Sequence, residues 1–239
     1  MECSICIATY NKPESLAATL KSIYQQSPPF DFEVVVVDYG SPDDKTRLVC
    51  SQYPVRYHKL YRMPTYRNPA KARNAAYRMA GGEILICQSD DVVHGEDAIE
   101  QLVAEMQPGR FVVANVLNVD PVTMEPRGCG HPRNPKLVEL SGPIGRRPLL
   151  FLGAVYRKDV YEIGGNDERF QAPGKEDIYF VGCLMKGLGL KPYFSTVRGY
   201  HLHHPRPPLE AVKPSDVLYA RLSSGGAWRA QGAPWSYAP

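Results

Sequence analysis

The chain opens on a short apolar run, Cys3 to Ala8, that shows no polar alternation. From Glu14 to Gln26 the residues Leu16, Leu20, Ile23 and Tyr24 recur at helical spacing, and Pro13 suits a first helical turn. Glu33 to Asp38 then carries four consecutive valines, which leaves no face for solvent and predicts an interior, typically parallel strand. The rhythm continues with a helix over 42–52, a short strand from Val55 to Leu60, and a helix opened at Asn68-Pro69 and stopped by Gly81-Gly82. A strand over 83–87, a helix over 96–106 and a strand from Phe111 to Val116 follow. Strands and helices alternating at these lengths predict an α/β fold, with a mostly parallel central sheet and helices on both faces.

At 118–148 the rhythm breaks into a segment rich in Pro, Gly, Arg and Asn, and excursions of this length are usually functional or mobile. Order resumes with Leu149 to Tyr156, a short helix from Lys158 and a longer one from Glu176 to about Leu188. Past Pro205 the composition turns Pro-rich and ends with Trp228 and Trp235, so 205–239 is expected as a tail or lid. With 239 residues, 44% hydrophobic and 22% charged, the chain suits one folded domain. A net charge of +3 is too mild to indicate nucleic acid, though it suits a site that receives an anion. No run approaches the ~18 apolar residues of a membrane span, which leaves only peripheral membrane contact open. The N-terminus lacks the basic start and apolar core of a secretory leader, and the six cysteines are scattered, with Cys3-x-x-Cys6 a single weak match to a zinc pattern. Reduced, buried thiols in a cytoplasmic protein are the expectation.

One feature carries chemistry by itself. Asp90 and Asp91 stand side by side just past an apolar strand, and adjacent carboxylates repel unless a cation or a proton neutralises them. A divalent ion is one neutraliser, at the strand end where open α/β sheets bind ligands. A helix N-cap pair ahead of a helix starting near Gly95 is the other reading.

Four segments taken in order sharpen this: Ser4-Ile5-Cys6-Ile7-Ala8-Thr9-Tyr10-Asn11; Val36-Val37-Asp38-Tyr39-Gly40-Ser41; Ala70-Lys71-Ala72-Arg73-Asn74 leading to Gln88-Ser89-Asp90-Asp91; and Gly164-Gly165-Asn166-Asp167 running to Glu176-Asp177. Together they resemble the family 2 glycosyltransferases over about residues 1–204. The resemblance implies the Rossmann-like GT-A fold, a single domain with a nucleotide-sugar half (1–116) and an acceptor and catalytic half (117–204). It implies that Thr9, Tyr10, Asn11 and Asp38 line the nucleoside pocket, with Asp38 accepting from a uracil imide and Tyr10 offering a stacking face. Arg73 and Asn74 would meet phosphate, ahead of Lys71, and Ser89 and Asp90 would complete the donor site. Asp90 and Asp91, joined by His203 or His201 in preference to His204, would hold Mn2+ or Mg2+. Asp177 would be the catalytic base, with Glu176 placing the acceptor hydroxyl or the sugar.

Two positions depart from the family pattern. Gln88 replaces an acid that many relatives carry and could coordinate only as a neutral oxygen donor, so the expected metal site is weaker or depends more on Asp90, Asp91 and the diphosphate. Tyr179 replaces a further Asp, which changes the expected acceptor contacts. The function so implied is metal-dependent, inverting transfer from a nucleotide diphosphate sugar, a UDP-sugar first, to a glycan or other hydroxyl acceptor. A retaining or non-UDP transferase and a non-catalytic nucleotide-sugar or glycan-binding module remain alternatives. A macromolecular acceptor held by Arg127, Arg133, Arg146 and Arg147 is a third.

Overall fold

The computed structural model describes residues 1–61, 68–131, 134–231 and 235. In chain order the elements are β1 (Cys3–Thr9), α1 (Pro13–Tyr24), β2 (Phe32–Asp38), α2 (Lys45–Cys50), β3 (Val55–Lys59), α3 (Ala70–Met79), β4 (Ile84–Ser89) and β5 (Val92–His94). There follow α4 (Ala98–Ala104), β6 (Arg110–Val119), β7 (Glu139–Ser141), β8 (Leu152–Tyr156), α5 (Arg157–Ile163), α6 (Glu176–Gly182), β9 (Lys191–Leu202) and α7 (Leu209–Ser224).

One sheet runs in the order β3-β2-β1-β4-β8-β6-β9-β5, with β7 paired to β6. The first four strands are parallel, as the unbroken apolar runs predict. Beyond β4 the hand of pairing changes: β8 is antiparallel to both β4 and β6, β9 runs parallel to β6, and β5 closes antiparallel on β9. Alternation along the strands supplies two cores. Ile5, Ile7, Val34, Val36 and Ile86 face α1 and α4, where Leu16, Leu20, Ile23, Ile99 and Leu102 are buried. Cys6, Val35, Val37, Leu85 and Cys87 face α3, α5 and α6, through Ala72, Ala76, Tyr77, Val160, Ile163 and Phe180. Burial on both faces is why polar alternation is missing from the sequence of these strands. All six cysteines are free and buried.

The 118–148 excursion contains the last two residues of β6 and the short β7. The helix expected to run on to Leu188 ends at Gly182 and continues as a wider, π-type turn over Cys183–Gly187. Trp228 packs against Gly182 so closely that a Cβ there would strike its ring. The segment past Pro205 is not a loose extension. It forms α7, with Pro214 inside the helix, and then lays Trp228 on the ring of Tyr179 (centroids 5.4 Å apart, 26° between planes) and Trp235 edge-on to Tyr161. Tyr179 Oη also donates to the carbonyls of Ala227 and Arg229, at 2.9 and 3.2 Å. Position 179 therefore ties down the C-terminal segment and is itself 1% exposed. No helix among the described residues is long and apolar enough to cross a membrane.

Candidate active site

Register brings the site together before any side chain is considered. Thr9 pairs with Asp38, and Ala8 with Ser89, so the C-terminal ends of β2, β1 and β4 lie abreast. A cavity of about 790 Å³ opens there, lined by Thr9, Tyr10, Arg73, Ser89, Asp90, Asp91, Glu176, Asp177, His201 and His204, and walled on the far side by Leu209, Val212 and Asp216 of α7. Groups far apart in the chain thus share one chamber, and the segment expected as a lid supplies a wall of it.

At the metal-type end, Asp91 Oδ1 is buried and has no hydrogen-bond partner among the described residues, while His201 Nε2 lies 3.5 Å away. His204 Nε2 lies 3.2 Å from Asp91 Oδ2, and one ligand atom from each of the three residues falls within 4.8 Å of the others. The partners of the far ring nitrogens decide the tautomers. His201 Nδ1 sits 2.9 Å from Asn118 Oδ1, and His204 Nδ1 sits 2.9 Å from the Pro205 carbonyl. Both acceptors need a proton on Nδ1, which leaves the Nε2 lone pairs turned toward Asp91. Burial pushes His201 down to about 4, against the pull of Asp91, so it is neutral near pH 7. Two imidazole lone pairs turned toward one buried carboxylate, whose Oδ1 has no hydrogen-bond partner among the described residues, fit a cation, and a divalent ion with nitrogen and oxygen ligands suits the set.

The histidine assignment is corrected in one respect. His201 and His203 both contact Asn118, but His203 Nδ1 meets Asn118 Nδ2 at 3.2 Å and does not join the cluster. His204 completes it instead, because β9 ends at Leu202 and strand alternation no longer governs the residues after it.

Gln88 stands apart from the ion cluster. It points to the opposite face of the sheet, where its Nε2 donates to the Val92 carbonyl at 2.8 Å and its Oε1 lies 2.7 Å from His94 Nε2. His94 Nδ1 lies 2.8 Å from Gln26 Nε2, whose Oε1 accepts from the Ile99 N–H. This chain of donors closes only with a neutral His94, and burial pushes His94 down to about 3. Gln88 is thus a neutral link in a buried network and offers nothing to an ion.

The acidic pair has an internal cation that the sequence reading missed. Lys12 Nζ lies 2.6 Å from Asp91 Oδ2 and 3.6 Å from Asp90 Oδ1. Burial raises the Asp90 carboxyl, opposed by Lys12, while Thr9 Oγ1 donates to its Oδ2 at 2.8 Å. For Asp91 burial also works upward, but His201, His204 and Lys12 more than offset it and hold the group below the ordinary carboxylate range.

At the other end, Glu176 is buried and takes Asn68 Nδ2 at 3.0 Å and the Arg73 guanidinium at 3.3 Å. Burial and the neighbouring Asp177 raise its pKa, with Arg73 opposing. Arg73 lines the cavity, yet its charge is committed to Glu176. Asp177 opens α6, receives the Ile178 N–H at 2.7 Å and faces the cavity. The turn that presents these acids is pinned through the Ala172 carbonyl, which accepts from both Asn68 and Ser215, each at 2.8 Å.

Three expected donor residues do not reach the cavity. Asn74 is one step, about 100°, around α3 from Arg73, and it clasps the backbone of Asn166 on both its N–H and its carbonyl. Gly165, at φ 70°, is held bare there because a Cβ would meet Asn74 and Trp235. Asp38 is fully buried, and its oxygens are taken by Ser41 N–H, Ser41 Oγ and Tyr57 Oη at 2.8–2.9 Å. Asn11, at φ 52°, is exposed and gives its backbone N–H to Ser41 Oγ. Asp38 and Asn11 therefore hold the loops after β2 and β1, while Tyr10, 37% exposed, and Tyr39 line the cavity. Of the basic acceptor candidates, Arg147 lines the cavity, Arg127 pairs with Asp120, Arg146 is exposed, and Arg133 lies outside the described residues.

Comparison with known proteins bears on this architecture directly. The model of glycosyl transferase family 2 matches residues 4–163, and the chain belongs to that family. The uncharacterized glycosyltransferase YfnE of Bacillus subtilis (strain 168) is 34% identical over 204 residues, which covers 84% of this chain and 50% of that protein. Among solved structures, S. aureus TarS in complex with UDP-GlcNAc matches with a TM-score of 0.66 at 19% identity, over 98% of this chain and 68% of its own. GalNAc-T7 with UDP, GalNAc and Mn2+ matches at 0.69 and 18% identity, over 93% of this chain and 48% of its own. At such identities the two structures show the shared GT-A fold alone. The chain spans half or less of the length of the curated relatives it matches.

Proposed function

We propose that this chain is a glycosyltransferase that moves a sugar from a uridine diphosphate donor to an acceptor hydroxyl, with inversion and with the help of Mn2+ or Mg2+. The observation that carries the reading is the pairing, in one cavity, of a cation-ready cluster (Asp91, His201, His204) with an accessible carboxylate, Asp177, at a helix start. A UDP donor is supported by the fold shared with TarS bound to UDP-GlcNAc, and a divalent ion by the fold shared with GalNAc-T7 bound to UDP and Mn2+.

The residues divide the work as follows. Asp91, His201 and His204 would hold the ion, whose charge offsets that developing on the departing diphosphate. Tyr10 offers the base a ring, and Thr9 orients Asp90 beneath the donor. Asp177 accepts the proton of the acceptor hydroxyl as its oxygen bonds to the anomeric carbon and the bond to the diphosphate oxygen breaks on the opposite face. Glu176, fixed by Asn68 and Arg73, positions the sugar or the acceptor. Six unpaired cysteines favour a reducing, cytoplasmic setting.

The test is UDP release from a panel of UDP-sugars with and without Mn2+, for the wild type, Asp91→Asn and Asp177→Asn. Mn2+-dependent release from one donor, lost in both variants, is expected. Release at the wild-type rate in Asp177→Asn would refute the assigned base, and wild-type protein that neither releases nor binds UDP would refute the transferase reading.

A further inference from the structure

The acidic pair already carries a cation. Lys12 stands one residue before α1, where its backbone is fixed by the Leu16 N–H bonded to its carbonyl and by Pro13 behind it. Its side chain lines the cavity, about one-third exposed, and reaches both Asp90 and Asp91. Asp91 is therefore divided. Oδ2 accepts from Lys12 and lies 3.2 Å from His204 Nε2, while Oδ1 faces His201 with no hydrogen-bond partner among the described residues. Two carboxylates and one ammonium leave a single net negative charge. A divalent ion seated on Asp91, His201 and His204 would share a carboxylate with the ammonium and be repelled by it.

Building on the transferase reading above, we propose that Lys12 is a resident counter-cation that keeps the ion site weak until the donor's diphosphate arrives and draws the ammonium away from Asp91. The ion and the nucleotide then enter as a unit. In the absence of donor, Lys12 holds the two carboxylates together. With donor bound, its charge is spent on phosphate oxygens, and Asp91 is released to the ion. The flexible stem and partial exposure of Lys12 permit that exchange without moving α1 or β4.

The idea makes opposite demands on two affinities, which a merely structural lysine would not. Calorimetric titration of nucleotide-free protein with MnCl2 should show Lys12→Met binding Mn2+ about tenfold more tightly or better, the scale of one unit charge a few ångströms away at near-surface screening. Titration with UDP in saturating Mn2+ should show the same variant binding UDP at least about tenfold more weakly. Lys12→Arg, which keeps the charge, should stay near wild type in both. Lys12→Gln repeats the measurement with a side chain that still hydrogen-bonds to Asp91, in case the methionine variant does not fold. Mn2+ affinity that is unchanged or weaker in the neutral variants overturns the proposal. So does loss of Mn2+ and UDP binding together. Wild-type protein that binds UDP with Mn2+ while the neutral variants show no gain in Mn2+ affinity sinks the role of Lys12 and leaves the transferase reading standing.

Discussion

Placing an acid at position 88 tests the logic of the site. Gln88→Glu keeps the shape of the side chain and exchanges an NH2 for an oxygen. The wild-type NH2 donates to the Val92 carbonyl, so an ionised carboxylate in its place would face that carbonyl oxygen to oxygen inside a fully buried network. His94 cannot relieve the charge by taking a proton, because its Nδ1 already accepts from Gln26 Nε2, and Gln26 Oε1 is held by the Ile99 N–H. The satisfied form is the protonated carboxyl, which donates to Val92 and accepts from His94. Its folded pKa is then raised far above the unfolded value of about 4.3. For a raised carboxyl pKa the two states bind protons alike below the unfolded value, so the variant should match the wild type near pH 4. Above it the unfolded chain ionises and the folded one does not. Stability is lost at about 1.4 kcal/mol per pH unit, or about 3–4 kcal/mol by pH 7 if the proton is still held there. Urea unfolding of both proteins at pH 4, 5.5 and 7 measures this, and Mn2+ calorimetry alongside should show no gain in affinity. A pH-independent penalty, or tighter Mn2+ binding by Gln88→Glu, would refute the orientation of Gln88.

Asp177→Asn should lower kcat by about 10²–10⁴ while leaving UDP affinity within error of wild type, read by steady-state kinetics and calorimetry. His204→Ala should weaken Mn2+ binding about tenfold or more, and His203→Ala should not; the reverse ranking would restore His203 to the cluster. Folded His94 stays neutral down to about pH 3, whereas the unfolded chain takes up that proton near 6.5, so stability falls as pH drops through this window. His94→Asn should flatten that slope in urea melts, and an unchanged slope would show that His94 is not its source. Trp228→Ala strips the cover from Tyr179 and Gly182 and should cost about 3 kcal/mol, seen as a lower thermal midpoint.

The parallel half of the sheet was legible because residues such as Val34 to Val37 are buried on both faces and leave an unbroken apolar run. The gathering of Thr9, Asp90 and Asp91 was legible because strand ends in such a sheet lie abreast. What the sequence hides is direction. Arg73 and Asn74 are adjacent in the chain but about 100° apart on α3, so one reaches the cavity and the other the Asn166 backbone. Asp38 reads as a base-binding acid until Tyr57, from a neighbouring strand, is seen to occupy it. The choice between His203 and His204 turned on where β9 stops, a boundary that apolar pattern locates poorly. Prolines 205, 207, 208 and 214 concealed α7, although Leu209, Val212, Tyr219 and Leu222 fall on a helical stripe that could have revealed it. Lys12 is hidden because it stands 79 residues before Asp91 in the chain and meets it only through the folded sheet.

The ladder that joins β5 to β9 sets Val92 opposite His201, while Asn118 of β6 stands beside His201 on its other flank. A strand changes face with every residue, so deleting a single position between Arg198 and Tyr200 would turn the imidazole away from Asp91 and bring an unsuited neighbour into its place. Loops around the cavity can lengthen or shorten without that penalty. Over evolutionary time, then, this stretch of β9 should accept substitutions far more readily than insertions or deletions, and its length matters to the candidate site as much as the identity of any residue in it.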